Sequence, residues 1–160
     1  MSTNPYIASG LSAKRYHMAE DFRAAMRGVL SDEQIDAAVH TMLTTTTTYP
    51  AKGNVVSMAF YLQFQVSVLA GQTFEGKGGG ISPPGASALY GEIFTNDLEL
   101  LYRHTAGMQF HVASSYATVN FFDRHSNLLG SFCSSSVSMV QGTGGGYGKW
   151  KQPGSSTRFS

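Results

Sequence analysis

The chain has 160 residues, the length of one ordinary domain and too short for two by the soft prior of roughly 100 to 200 residues each. Apolar residues make up 42% and charged residues only 13%, about half the usual quarter, so the solvated surface must be built largely from Ser, Thr, Asn, Gln and Gly. Eleven Lys and Arg against ten Asp and Glu leave a net charge of +1, which argues against the broad basic field of a nucleic-acid binder.

Residues 1–40 hold nine of the 21 charged residues, Lys14, Arg15, Glu20, Asp21, Arg23, Arg27, Asp32, Glu33 and Asp36, so the chain opens with a segment unlike the rest. Met1 to Gly10 carry no Sec-type signal, and the expectation is a cytoplasmic protein or export by another route. Met18, Phe22, Ala25, Met26 and Val29 follow helical spacing and predict an amphipathic helix over Met18 to Leu30, weakened toward its end by Gly28. Ser31 with Gln34 three positions on forms a capping box, and Ile35, Ala38, Val39, Met42 and Leu43 make the apolar stripe of a second helix. Thr44 to Thr48 and Tyr49-Pro50 end it, since β-branched residues and a following proline both disfavour helix.

From Val55 the period changes to two. Val56, Met58, Phe60, Leu62, Phe64, Val66, Val68 and Ala70 share one parity, which predicts a long half-buried strand or a strand with a bend. Gly71-Gln72 and Gly76 to Gly80 punctuate it, with Thr73 to Glu75 extended between them, and Ser82-Pro83-Pro84-Gly85 reads as a turn. Later strands are expected at Ala86 to Thr95, Gly107 to Ala113, Tyr116 to Asp123, Leu128 to Cys133 and Ser135 to Val140, with a last one around Tyr147 to Trp150. Asp97 can cap a turn of helix within Asn96 to Thr105 that sets Leu98, Leu101 and Tyr102 on one side. Eighteen glycines and ten phenylalanines suit strands and tight turns. The division is a helical segment over 1–48, a barrel or sandwich over 49–150 and a polar, frayed tail over 151–160.

Gly76-Lys77-Gly78-Gly79-Gly80, Leu89-Tyr90-Gly91-Glu92-Ile93-Phe94-Thr95-Asn96-Asp97 with Leu101-Tyr102-Arg103, Phe110, Val119-Asn120-Phe121-Phe122-Asp123, and Leu129-Gly130-Ser131-Phe132 resemble the virulence-associated (Vap) proteins that actinobacterial pathogens of macrophages secrete. The ending Gly142-Thr143-Gly144-Gly145-Gly146-Tyr147-Gly148-Lys149-Trp150 is similar too, so the resemblance runs collinearly from about Tyr49 to Trp150. It implies an all-β fold, a closed eight-stranded antiparallel Greek-key β-barrel with a filled interior, here preceded by two short helices, and no enzymatic activity. The family's role, interference with the host phagosome and its membranes, brings no residue-level mechanism with it. Family members begin with a secretion signal and a variable segment, whereas this chain starts with neither a signal nor an unpatterned leader.

Sites of chemistry are few. Gly71 to Gly78 nearly matches Gly-x4-Gly-Lys-Ser/Thr, but Gly78 stands where the magnesium-holding hydroxyl belongs and no helix follows, so no nucleotide is expected. Gly142 to Gly148 reads as strands closing on each other at a barrel end. His17, His40, His104, His111 and His125 lack metal-site spacing, and neither a metal nor another cofactor is expected. Asp123, His125 and Ser126 are hydrolase residue types confined to one tight turn, where they cannot converge. Cys133, the single cysteine, reads as an inert thiol without a disulfide partner. His111 is expected to face solvent. If Phe122 faces the core, Asn120 is a buried amide that must be hydrogen-bonded, a ligand contact being the alternative.

Two surfaces are candidates for binding. Lys14, Arg15, Arg23 and Arg27 with Phe22 and Met26 can form an interfacial helix among anionic head groups, diluted by Glu20 and Asp21. The alternatives are helices packed on each other or on the barrel, or a surface for a partner protein. Tyr61, Gln63 and Gln65 form a neutral patch suited to carbohydrate or protein, against an ordinary solvated sheet face. The expectation is a noncatalytic effector that contacts an anionic lipid membrane or a host protein, with a cytoplasmic binding or immunity-type module as the alternative.

Overall fold

The computed structural model describes residues 10–135 and 138–152, with side chains from Arg15 onward. The chain divides into two compact units, Met1–Thr45 and Thr46–Ser160.

The first unit is a helical hairpin of α1 (Gly10–Met26) and α2 (Asp32–Thr44). Gly28, at φ 87°, sits in the left-handed region and turns the chain between them. The capping box at Ser31 forms in both directions: its hydroxyl accepts from the Gln34 amide at 3.1 Å, and the Gln34 side chain accepts from the Ser31 amide at 3.0 Å. Met18, Phe22 and Met26 of α1 and Ile35, Ala38, Val39 and Met42 of α2 are buried, and the two helices pack on one another. Two expectations need correction. The first helix begins at Gly10, ahead of Met18, and Val29 lies beyond its end, where it is 69% exposed because Gly28 has already broken the stripe.

The second unit is a closed barrel in the order β1-β2-β3-β8-β5-β6-β7-β4. Its strands are β1 (Thr48–Ser57), β2 (Tyr61–Val68), β3 (Thr73–Gly79), β4 (Gly85–Phe94), β5 (Gly107–Val112), β6 (Ala117–Phe122), β7 (Leu128–Ser134) and β8 (Gly142–Lys151). Every neighbouring pair is antiparallel. The stretch from Val55 to Ala70 is therefore two strands, not one. The chain reverses at Met58–Phe60, with Ala59 at φ 79°, and places Ser57 opposite Leu62. Ala51, Gly53, Val55 and Ser57 are buried in β1 but Leu62, Phe64, Val66 and Val68 in β2, so the turn switches parity and leaves Met58 and Phe60 outside.

The glycine segments also differ from expectation. Gly76 to Gly79 lie in β3 and pair with Gly145 to Gly148 of β8, while Gly142 to Gly144 pair with β5. A Cβ on Gly148 would lie 2.6 Å from both Gly76 Cα and Phe74 Cζ. Glycine is required there so that the two strands can approach while the Phe74 ring lies across them. Of the expected strand Ser135–Val140, residues 136 and 137 lie outside the described residues, and Ser138 to Val140 form a loop. Within the expected tail, Lys151 ends β8, and residues 153–160 lie outside the described residues.

Aromatic rings fill the interior. Phe64 and Phe110 meet tilted by 45° with centroids 4.8 Å apart, and Phe74 meets Phe121 edge-on at 4.9 Å. A third helix, α3 (Leu98–His104), is capped by the Asp97 carboxylate, which accepts from the Leu100 amide at 3.0 Å. It closes one end of the barrel, with Leu101 fully buried and the Tyr102 ring 5.2 Å from that of Trp150. The Trp150 indole donates to Thr105 Oγ1 at 3.2 Å, so its polar edge is satisfied inside the seal.

All six residues of β6 are buried. Ala117, Val119 and Phe121 face the core, so it is Phe121 and not Phe122 that points inward, and Asn120 lies on the opposite side of the wall with Thr118 and Phe122. Asn120 is nevertheless buried and hydrogen-bonded to Gln109 and Ser131.

Candidate functional site

The helix residues considered for lipid contact do not form one exposed amphipathic face. Lys14 lies in α1 and Arg15 is half-buried. Phe22 is 1% exposed and Met26 is buried, because the hairpin needs their apolar area for its own core. Arg23 and Arg27 are exposed, and Arg23 is held by Asp36 at 2.8 Å. In this conformation Arg23 and Arg27 remain at the surface while the apolar partners they would need are inside.

Exposed apolar residues gather instead at one end of the barrel. The connections β1–β2, β3–β4, β5–β6 and β7–β8 all lie there, since the antiparallel strands alternate in direction. Met58, Phe60, Ile81 and Met139, from three of these connections, are 50%, 76%, 78% and 81% exposed. Residues 58–60, 80–84, 113–116 and 135–141 contain no Asp, Glu, Lys or Arg. Hydroxyls tie the loops together: Ser57 donates to the Ser82 carbonyl at 3.2 Å, Gln141 donates its amide to Ser82 Oγ at 3.2 Å, and Met139 donates its amide to Ser87 Oγ at 3.0 Å. The apolar tips are thus held in place by buried or half-buried serines.

The opposite end is charged. Asp97, Glu99, Arg103, His104, Asp123, Arg124 and His125 lie on α3 and the β6–β7 turn. A recess of about 690 Å³ there is lined by Arg103, His104, Asp123 and His125 among others. The Asp123 carboxylate is committed to its own turn, accepting from the His125 amide at 2.8 Å, the Asn127 amide at 2.9 Å and the Asn127 side chain at 3.1 Å. Burial pushes this carboxyl up, but the Asn127 and His125 donors and the His125 charge outweigh it and hold the group below its ordinary value of 3.8. An Asp spent in this way cannot orient a catalytic base.

Tyr61, Gln63 and Gln65 lie on the outer wall of the barrel. Register places Asn54, Gln65, Glu75 and Lys149 in one row across β1, β2, β3 and β8, and Val56, Gln63, Lys77 and Tyr147 in the next. The Lys77 ammonium lies 5.3 Å from the Tyr61 ring centroid, and Glu75 bonds Lys151 at 2.9 Å. An open trough of about 900 Å³ runs over these rows. The lysines of β3 and β8 and the apolar loop end were missed by residue-level reading. A usable signal was present, because the only charged connections within the barrel, β4–β5 and β6–β7, both lie at the α3 end.

His111 is half-buried on its strand and shares a hydrogen bond of 2.8 Å with Thr143, and Cys133 is half-buried. Among the described residues no group of three His, Cys, Asp or Glu side chains could hold a metal, and no helix is long and apolar enough to cross a membrane.

Comparison with known proteins places this arrangement. A model of the Rhodococcus equi virulence-associated protein family matches residues 6–151. The chain is similar to the virulence-associated protein VapB from the intracellular pathogen Rhodococcus equi, at 40% identity and a TM-score of 0.63 over 66% of this chain and 97% of that one. It is similar also to VapD from the same organism, at 36% identity and a TM-score of 0.64 with the same coverage. No curated protein matches the sequence.

Proposed function

The chain belongs to the Rhodococcus equi virulence-associated protein family, and from that premise we propose that it is a noncatalytic virulence protein that acts by contact with a host membrane, seated through its uncharged loop end. The observation that carries this reading is the cluster of Met58, Phe60, Ile81 and Met139, all at least half exposed at one end. Fully burying one such side chain yields about 1.5 to 3 kcal/mol, so four partly exposed ones offer on the order of 5 kcal/mol before the cost of immobilisation. That suits reversible seating at an interface rather than spanning insertion.

Charge supports the same end over the other. Moving ionised groups into the acyl region beneath the head groups is costly, and the loop end has none, whereas the α3 end carries seven titratable side chains. Tyr61 and Lys77 sit just behind the loops, where an aromatic ring and a snorkelling ammonium meet the head groups. The noncatalytic part of the reading is supported by the aromatic-filled interior. Acting at a host membrane requires that the protein leave the bacterium.

Vesicle flotation of the full chain tests the proposal, using protein-free vesicles of phosphatidylcholine with phosphatidylserine at physiological salt. The parent is expected to float, and the Phe60→Ser/Ile81→Ser variant to float on the order of tenfold less. A parent that stays at the bottom of the gradient, or a variant that floats as well as the parent, overturns it.

A further inference from the structure

We propose that the outer wall of β1, β2, β3 and β8 is a binding site for an acidic polysaccharide. The proposal goes beyond membrane contact and can fail while that reading stands, since it concerns a soluble polymer and the strand wall, which shares only Lys77 with the loop end.

The first argument is charge. The barrel contains four lysines, Lys52, Lys77, Lys149 and Lys151, and all four lie on the outer face of β1, β3 and β8. Against them this stretch of wall carries one acid, Glu75, already bonded to Lys151 at 2.9 Å. The next acid, Glu92, is on β4 opposite Pro50. A chain of net charge +1 therefore concentrates three excess positive charges on one wall.

The second argument is spacing. Residues two apart on a strand are separated by about 6.6 Å, and diagonal neighbours on adjacent strands by about 7 to 8 Å. The ammonium groups of Lys151, Lys149 and Lys77 thus descend the wall at intervals and do not converge on a point. A compact anion such as phosphate needs converging donors. An extended polymer with a charge at each repeat needs spaced ones.

Between the lysines lie the amides of Asn54, Gln63 and Gln65, which both donate and accept and so suit hydroxyl groups. Tyr147, 68% exposed and opposite Lys77, and Tyr90, opposite Lys52, present ring faces on which the apolar faces of sugar rings can stack. An acidic peptide fits less well, because the barrel is closed and offers no edge strand for it to join. The trough of about 900 Å³ is lined from β1, β2, β3 and β8, by Asn54, Gln63, Gln65, Lys77, Tyr147 and Lys149 among others, so a polymer in it would touch all four strands.

Calorimetric titration of the full chain with a heparin oligosaccharide, a polyuronate fragment, neutral dextran and a single-stranded oligonucleotide tests the proposal. Both acidic polysaccharides are expected to bind and dextran is not. Lys77→Gln/Lys149→Gln should weaken binding on the order of tenfold, and the charge-preserving Tyr147→Ala by roughly threefold, with melting curves showing each variant folded. Arg103→Gln/Arg124→Gln, which removes the same charge from the other end, should leave affinity unchanged. The proposal is overturned if neither acidic polysaccharide binds, if dextran binds as well, if the arginine variant weakens binding as much as the lysine variant, or if the oligonucleotide binds more tightly than both.

Discussion

The side-chain amide of Asn120 donates to Oε1 of Gln109 at 2.7 Å, and the two residues stand directly opposite each other across β5 and β6. Asn120 Oδ1 in turn accepts from the hydroxyl of Ser131, its register partner on β7, at 2.6 Å. Gln109 finishes the chain by donating to the Phe110 carbonyl at 3.2 Å. Three buried polar side chains on three adjacent strands thus satisfy one another and fix the register of β5, β6 and β7.

Removing the middle member should be costly, because two partners are stranded at once. Leaving a buried donor or acceptor unmade costs about 1 to 3 kcal/mol each, so Asn120→Leu is expected to lose roughly 3 kcal/mol in urea unfolding. A loss under about 1 kcal/mol would mean that the ladder contributes shape and not hydrogen bonding.

The Asp123 turn makes the acid branch of stability sensitive to one residue. Its carboxyl is held below the ordinary 3.8 in the folded state, so it stabilises the fold above that value and loses the contribution as pH falls through the folded one. Asp123→Asn should be less stable than the parent near neutrality, with the difference narrowing only below 3.8. Thermal melts across that range check the sign, and a gap that widens in acid would contradict it.

How legible these features are depends on whether a residue has one strong environment or two competing ones. Ser31, Gln34 and the Ile35 to Met42 stripe specify α2 locally, and it forms as read. Asp97 likewise announces α3. The Val55 to Ala70 stretch misleads because Met58 and Phe60 are apolar yet exposed, so the sequence alternation runs unbroken through a turn that switches faces. The β3 glycines read as breakers because the strand that needs them, β8, lies far away in sequence, whereas the close approach expected for the β8 glycines is found, along the strand and not only at the barrel end. Asn120 is buried although Phe122, on which that expectation rested, does not face the core, because β6 is covered on both faces and carries no alternation to show which side is the core. The loop end is assembled from three distant connections and becomes a surface only when the strands are placed.

Gly148 should tolerate no side chain. A Cβ there meets Gly76 Cα and Phe74 Cζ at 2.6 Å, one of them backbone that cannot move aside. Gly148→Ala is expected to cost about 3 kcal/mol as overpacking, read as a lower melting temperature and reduced soluble yield. An unchanged melting temperature would show that β3 and β8 have room to separate.

The helical unit should respond to its cap and hardly to its ion pair. Ser31→Ala removes the hydroxyl arm of the capping box, which accepts from the Gln34 amide, and is expected to cost about 1 kcal/mol, seen as faster amide exchange in the first turn of α2. Arg23→Ala breaks an exposed pair and should cost less than about 0.5 kcal/mol. Equal effects would mean that the Arg23 and Asp36 contact does more than an exposed pair can.

The membrane reading is tested most directly by placing a reporter at the loop tip. Phe60→Trp puts an indole at a position 76% exposed, against the one native tryptophan, Trp150, which is buried. Added vesicles are expected to shift the emission of the new indole to the blue, and lipids brominated near the head group to quench it. Emission that stays unshifted and unquenched while the protein floats with the vesicles would contradict seating through this end.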